Sequence, residues 1–249
     1  MQADFFMSLH STEACRIEGN IRLCYHKEYK EGPQGENMNN EMLIRVTKYY
    51  RTLIKLRTIG LEKVFAHNLA DAAGVSASIV RKDFSQMGIY GQKRGGYNII
   101  ELSDVLGELL GKGTPENVVV IGCGRIGMAL MHYSGFENDG ISILAGFDNN
   151  PSVFQNQTTL FPIYSISRLD EFAKENNISA AILTVPESAA QDVYSHVLSC
   201  NIKGILNFSP VTLKPMPTAD GSMPVVHNIN IGLELERMFY EIKFRKNGD

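Results

Sequence analysis

The stretch VVVIGCGRIGMAL, residues 118–130, sets three glycines in the spacing Gly-x-Gly-x-x-Gly between an apolar run and a helical pattern. In a strand–turn–helix each glycine has its own duty. Gly122 permits the tight turn, Gly124 lets the backbone approach a pyrophosphate, and Gly127 lets the helix pack close to the strand. With Cys123, Arg125 and Ile126 between them they form a candidate phosphate cradle, because free N–H groups and the dipole at a helix start favour an anion. A plain strand–turn–helix with incidental glycines shows the same spacing, so a second signal is needed. ISILAGFDNN supplies it: this apolar strand ends in Asp148, twenty-one residues after Gly127, where a carboxylate would receive ribose hydroxyls.

Two more strand ends are candidate walls for a nucleotide, since ligands of parallel sheets bind beyond the carboxyl ends of the strands. Thr184, Val185 and Pro186 close one run, and Asn207, Phe208, Ser209 and Pro210 close another. Turn chemistry alone also accounts for such residues. If a nicotinamide cofactor binds here, hydride transfer would further need a proton donor and a substrate clamp. His196 is the nearest candidate acid, but it falls mid-helix and reads as a surface residue, and this half of the chain is too short for a separate catalytic domain. No catalytic residue is expected. No metal site is expected either: His10, Cys15, Cys24 and His26 fit no zinc spacing, and the four cysteines make no disulfide framework.

These residues must be positioned by elements that the chain spells out in order. At 249 residues it can hold two modest domains with real cores. The chain contains no run of eighteen apolar residues and no signal-peptide pattern, which points to a reducing, cytoplasmic setting without membrane contact. Residues 1–37 lack a sustained period and read as a disordered leader, with Met38 a candidate start. The net charge of −3 conceals an asymmetry. Residues 45–94 carry ten Lys and Arg against three acids, whereas residues 114–249 carry nine against fourteen. A basic block ahead of an acidic nucleotide-binding block suggests a polyanionic partner for the first half.

In EMLIRVTKYYRTLIKLRTIG, Leu43, Val46, Tyr50, Leu53 and Leu56 fall at helical spacing up to Gly60. HNLADAAGV predicts a short helix stopped by Gly74, and Ser76 is placed to N-cap a second helix that carries Ser78, Arg81 and Lys82. Short helix, glycine turn and basic helix make a helix-turn-helix, with Arg45 assigned to the same DNA-contacting set. GIYGQKRGGYNI then predicts a basic wing holding Lys93 and Arg94. Beyond a helix and linker, the runs VVVIG, ISILAGFD, AAILTV and GILNFS alternate with helical segments, the pattern of a parallel sheet covered on both faces. The expected fold class is therefore α/β: winged helix at 38–113, Rossmann-type sheet at 114–228 and a terminal helix at 229–249. That last helix has two apolar stripes, Ile231, Leu235, Met238, Phe239 and Ile242 on one side and Leu233, Tyr240 and Phe244 on another. A helix on a monomer buries one face. Two predict a second copy of the chain.

In this order of parts the chain resembles the Rex family of redox-sensing transcriptional repressors. The resemblance runs over residues 41–244 and rests on YYRTLIKL, VRKDFSQMGIYG, GGYN, IGCGRIGMAL, HYSGF, GFDNNP, LTVPESAAQ, IKGILNFSPV and VVHNINIGLELERMFY. It implies a homodimer with winged-helix domains, Rossmann domains that bind NADH or NAD, and domain-swapped C-terminal helices. It also implies binding of the NAD-bound or empty protein to AT-rich inverted repeats in double-stranded DNA, and release by NADH. VPESAAQ and IKGILNFSP are also similar to the CoA-binding domains of acyl-CoA synthetases, which lack a winged helix. An NAD-dependent dehydrogenase is the other alternative.

Three positions depart from the Rex pattern. Gln92 alters the wing, so that either Lys93 or Arg94 is the minor-groove cation; Asn150 replaces a second acid after Asp148; and Asn230 stands where the family has an Asp before the swapped helix. The resemblance gives that Asp two alternating partners, which here are Arg51 in the DNA-bound form and Tyr133 when NADH closes the dimer.

Overall fold

The computed structural model describes residues 38–91, 95–155 and 161–244, which divide into two compact units, Met1–Gly113 and Thr114–Asp249. The expected leader, Lys93 and Arg94 lie outside the described residues.

The first unit begins with α1 (Asn40–Thr58), whose N-cap Asn39 accepts a 2.8 Å hydrogen bond from the Met42 amide. Its inner face is Met42, Val46, Tyr49 and Leu53. This corrects the sequence reading by one position on one side: Leu43 is 40% exposed and Tyr49, rather than Tyr50, is fully buried. A polar anchor causes the rotation, because the Tyr49 hydroxyl donates to the buried carboxylate of Asp83 at 3.0 Å. β1 (Lys63–Val64), α2 (Ala66–Ala73), α3 (Ala77–Gln86), β2 (Tyr97–Asn98) and α4 (Ile99–Leu109) follow. Gly74 ends α2 in the left-handed region at φ +71°, where a side chain would be strained. Leu69, Val80 and Phe84 are sealed between the helices, and Phe84 packs edge-on against both Tyr49 and Tyr97 at centroid distances of 5.6 and 5.0 Å. Strand β2 pairs antiparallel with β1, which precedes the helix-turn-helix.

The second unit is a six-stranded sheet built from β3 (Glu116–Ile121), β4 (Ile141–Asp148), β5 (Ile163–Ser165), β6 (Ala180–Leu183), β7 (Gly204–Asn207) and β8 (Val225–Asn228). Every pairing is parallel, and the order is β5-β4-β3-β6-β7-β8. This is the doubly wound order, with its reversal between β3 and β6. β5 and β8, the two edges, escaped the sequence reading because β5 is only three residues long and β8, VVHN, is half polar and largely exposed. The helices are α5 (Arg125–Met131), α6 (Gly135–Asn138), α7 (Pro151–Gln155), α8 (Leu169–Asn176), α9 (Glu187–Ser199) and α10 (Ile231–Phe244).

β3 reads as a continuous apolar run because both of its faces are covered. Val119 and Ile121 join Phe147, Leu183, Leu169 and Tyr194 in one core, while Val118 and Val120 join Ile143, Met131 and Cys123 in the other. α10 behaves differently: all its residues are exposed in the single chain.

Candidate nucleotide cavity and nucleic-acid interface

β3 delivers the glycine turn to the sheet's reversal point. Gly122 has φ +91°, and a Cβ there would lie 2.8 Å from Val185 Cγ1 and 3.0 Å from the Thr184 carbonyl, so both conformation and space demand glycine. A Cβ on Gly127 would overlap the Gly122 carbonyl oxygen, which explains why α5 can start so near the strand. Thr184 ties the turn to β6, its hydroxyl donating to the Gly122 oxygen at 2.5 Å and the Ile121 oxygen at 3.2 Å. Gly124 is different. A Cβ there would meet nothing within 4 Å, and the residue N-caps α5 beside open space, where the first amides of the helix lack intrahelical acceptors.

Asp148, at the end of β4, faces this turn. Its Oδ2 accepts from the Cys123 amide at 2.7 Å and its Oδ1 from the Asn150 amide at 2.8 Å. Asn150 uses its side-chain oxygen to accept from the Ser152 amide and hydroxyl at 3.1 and 2.8 Å, so it starts α7. Cys123 is buried, and its thiol is pushed up to about 12 by burial first and by Asp148 second, leaving it protonated.

A cavity of about 360 Å³ opens along this line. Gly122, Gly124, Asp148, Thr184, Val185 and Pro186 contribute to its wall. Arg125 and Ile126 are exposed on the first turn of α5 and do not line it. Asn207 and Ser209 need correcting. Asn207 is fully buried and bonded on both ends: it donates to the Val211 carbonyl at 2.7 Å and to Asn228 Oδ1 at 2.8 Å, and accepts from the Ser209 amide and hydroxyl. A polar group so satisfied ties β7 to β8 and has no capacity left for this cavity. Phe208 is half-buried and Pro210 exposed, and neither lines the cavity.

The sequence reading missed the α9 wall. Ala189, Asp192, Val193 and His196 line the cavity together with Asn149 and Ile166. His196, read as a surface residue, is half-buried there. The spacing 189, 192, 193, 196 is one face of a helix, a signal that was present in the sequence.

In the first unit, Ser76, Ser78, Arg81 and Lys82 are all exposed, and Ser78, Arg81 and Lys82 share the outer face of α3. Ser76 occupies the N-cap but makes no side-chain capping bond. Its carbonyl accepts from Ile79 and Val80, and its hydroxyl pairs with that of Ser78 at 2.7 Å. Arg45, expected among the DNA contacts, has a partner within its own chain. Its Nε and Nη2 each donate to Asp83 at 2.8 Å, in a bidentate pair that raises the arginine pKa above its usual range, and the carboxylate is 1% exposed. Through these two bonds the guanidinium anchors α3 on α1 while keeping some solvent exposure.

The expected switch residues are spread over both units. Arg51 is exposed on α1 and Tyr133 is exposed after α5, edge-on to Phe136 at 5.1 Å. Asn230 caps α10, accepting from the Leu233 amide at 3.0 Å. Among the described residues no cluster of His, Cys, Asp and Glu could hold a metal, and no helix is long and apolar enough to cross a membrane.

A redox-sensing transcriptional repressor Rex of Clostridioides difficile (strain 630) is 33% identical over 208 residues, covering 84% of this chain and 97% of the relative. The chain belongs to the Rex family. Another Rex, from Streptococcus agalactiae serotype V (strain ATCC BAA-611 / 2603 V/R), is 34% identical over 201 residues, covering 79% and 92%. Family models match on both sides of the unit boundary: "Putative DNA-binding protein N-terminus" over residues 40–85 and "CoA binding domain" over 114–211. Among solved structures, the Rex-family repressor RSP in complex with NAD⁺ and operator DNA superposes with a TM-score of 0.73 at 28% identity, covering 84% of this chain and 94% of that one. RSP in complex with NADH gives 0.67 at 28% identity, covering 84% and 96%.

Proposed function

We propose that this chain is a homodimeric repressor that grips AT-rich inverted-repeat DNA when empty or NAD-bound and lets go when NADH enters the cavity at the β3–β6 reversal. One observation carries the reading: Asp148 is held by the Cys123 amide beside the open Gly124 turn, in the same chain as a helix-turn-helix with an outward cationic face. Gly122, Gly124 and Gly127 form the phosphate turn, Asp148 accepts ribose hydroxyls, and Thr184, Val185 and Pro186 wall the cofactor. Ser76, Ser78, Arg81 and Lys82 contact DNA, with Lys93 or Arg94 in the minor groove. Residues 38–113 serve as the winged-helix domain, 114–228 as the Rossmann domain and 229–249 as the swapped dimerisation helix. Release of DNA works through Asn230, which exchanges Arg51 for Tyr133. The protein acts in the cytoplasm and is not an enzyme, so NADH is bound without turnover.

The match to a CoA-binding domain favours a second reading, in which the cavity takes CoA. Asp148 argues against it, because the CoA ribose carries a phosphate that a carboxylate repels, as it repels the 2′-phosphate of NADPH. An electrophoretic shift with palindromic and random duplexes, repeated with NADH, tests the whole proposal. Palindrome-specific binding that NADH abolishes is the expected outcome. Equal weak binding to both duplexes, or tight CoA binding without NADH binding, rejects it.

A further inference from the structure

We propose that Asp192 and His196 read the edge of the adenine base, so that the cavity accepts adenine dinucleotides and rejects their hypoxanthine counterparts. This rests on the dinucleotide reading given above.

The covalent order of a dinucleotide divides the cavity. With the pyrophosphate at Gly124 and the ribose hydroxyls at Asp148, the base must occupy the remaining wall, which is formed by Ile166, Ala189, Val193 and the side chains beside them. Ile166 and the aliphatic residues of α9 offer apolar surface for the faces of a flat ring. Asp192 and His196 lie one helical turn apart and are the polar side chains that α9 contributes to this wall; Asn149, which follows Asp148, also lines the cavity on the ribose side.

Their chemistry matches adenine. The base presents a 6-amino donor next to ring-nitrogen acceptors; a carboxylate accepts from the former and an imidazole N–H donates to the latter. Hypoxanthine places a carbonyl oxygen at position 6 and a proton on N1. Against the same wall it sets acceptor against acceptor at Asp192 and donor against donor at His196; the half-buried His196 loses its partner at a cost, whereas Asp192, exposed at the rim, can turn to water.

The test is isothermal titration of the full chain with NADH and with reduced nicotinamide hypoxanthine dinucleotide, for the wild type, Asp192→Ala and His196→Ala. The wild type should bind NADH about ten-fold more tightly than the hypoxanthine form, and each variant should narrow that ratio to about two-fold. The ratio is its own control for folding, since a damaged fold weakens both ligands together. Equal wild-type affinities would overturn the proposal while leaving the cofactor reading intact. A preference that survives in both variants would also overturn it, by assigning the discrimination to other residues. If the wild type binds neither dinucleotide, the cofactor reading itself fails and takes this inference with it.

Discussion

α3 and α10 both carry apolar side chains in helical rhythm, yet they end in opposite states. α3 seals Val80 and Phe84 completely, buries even the charged Asp83, and keeps its cations outside. α10 leaves Ile231, Leu235, Met238 and Phe239 in solvent together with Leu233, Tyr240 and Phe244. α3 is completed by its own chain, through α1 and α2. α10 has more apolar surface than this chain covers, and that kind of surface drives association. A periodic apolar stripe thus states that a face will be buried without stating by whom.

Truncating one aromatic ring in each helix should separate the two cases most sharply. Phe84→Ala should cost about 3 to 5 kcal/mol of unfolding free energy, independent of protein concentration, by denaturant titration. Phe239→Ala, at a ring that is 60% exposed in the single chain, should leave the unfolding of dilute monomer nearly unchanged and weaken assembly by light scattering. If Phe239→Ala lowers stability equally at all concentrations, α10 is packed within its own subunit.

Next in size is the polar anchor of α3. Asp83→Ala strands the Arg45 guanidinium and the Tyr49 hydroxyl, and should cost about 3 kcal/mol, toward the low end for a broken buried pair because Arg45 keeps some solvent. Replacing Arg45 by Met in the same background should recover part of the loss in a double-mutant cycle. No recovery would mean that Asp83 acts through Tyr49 alone.

The outer face of α3 should show itself in DNA binding rather than in folding. Arg81→Ala should flatten the dependence of log affinity on log salt by about one unit if the residue neutralises a phosphate, and should relax sequence preference if it reaches a base edge. An unchanged slope and an unchanged preference would remove Arg81 from the interface.

The smallest effect is expected where α10 begins. Asn230 already caps the helix, and Asn230→Asp keeps an acceptor while adding negative charge at the helix N-terminus, worth about 0.3 to 1 kcal/mol. An ion pair with Arg51 in the DNA-bound state would add differential stabilisation of that state. Fluorescence anisotropy should then show tighter operator binding without NADH and a higher NADH midpoint for release. If neither moves, Asn230 is a cap and nothing more.

The sequence alone determined features whose cause is local. Gly122 and Gly74 have positive φ, the short distance from Gly122 to Gly127 brings α5 onto its strand, and Asp148 ends an apolar run at the residue where the strand stops. Backbone strain and the period of burial belong to a few consecutive residues, so spacing reveals them. Tertiary structure alone decided which polar groups find each other. Tyr49 turns inward because Asp83, thirty-four residues away, is there to accept its hydrogen bond, and Arg45 gives two of its donors to the same carboxylate across thirty-eight. Asn207 becomes a closed tie instead of a cavity wall because Asn228, twenty-one residues on, lies on the neighbouring strand. The α9 wall, Asp192 and His196 included, gains its meaning once β6 is laid beside β3. A buried polar atom must pair with whatever the fold brings within 3 Å, and that choice is made by chain topology rather than by its neighbours in sequence.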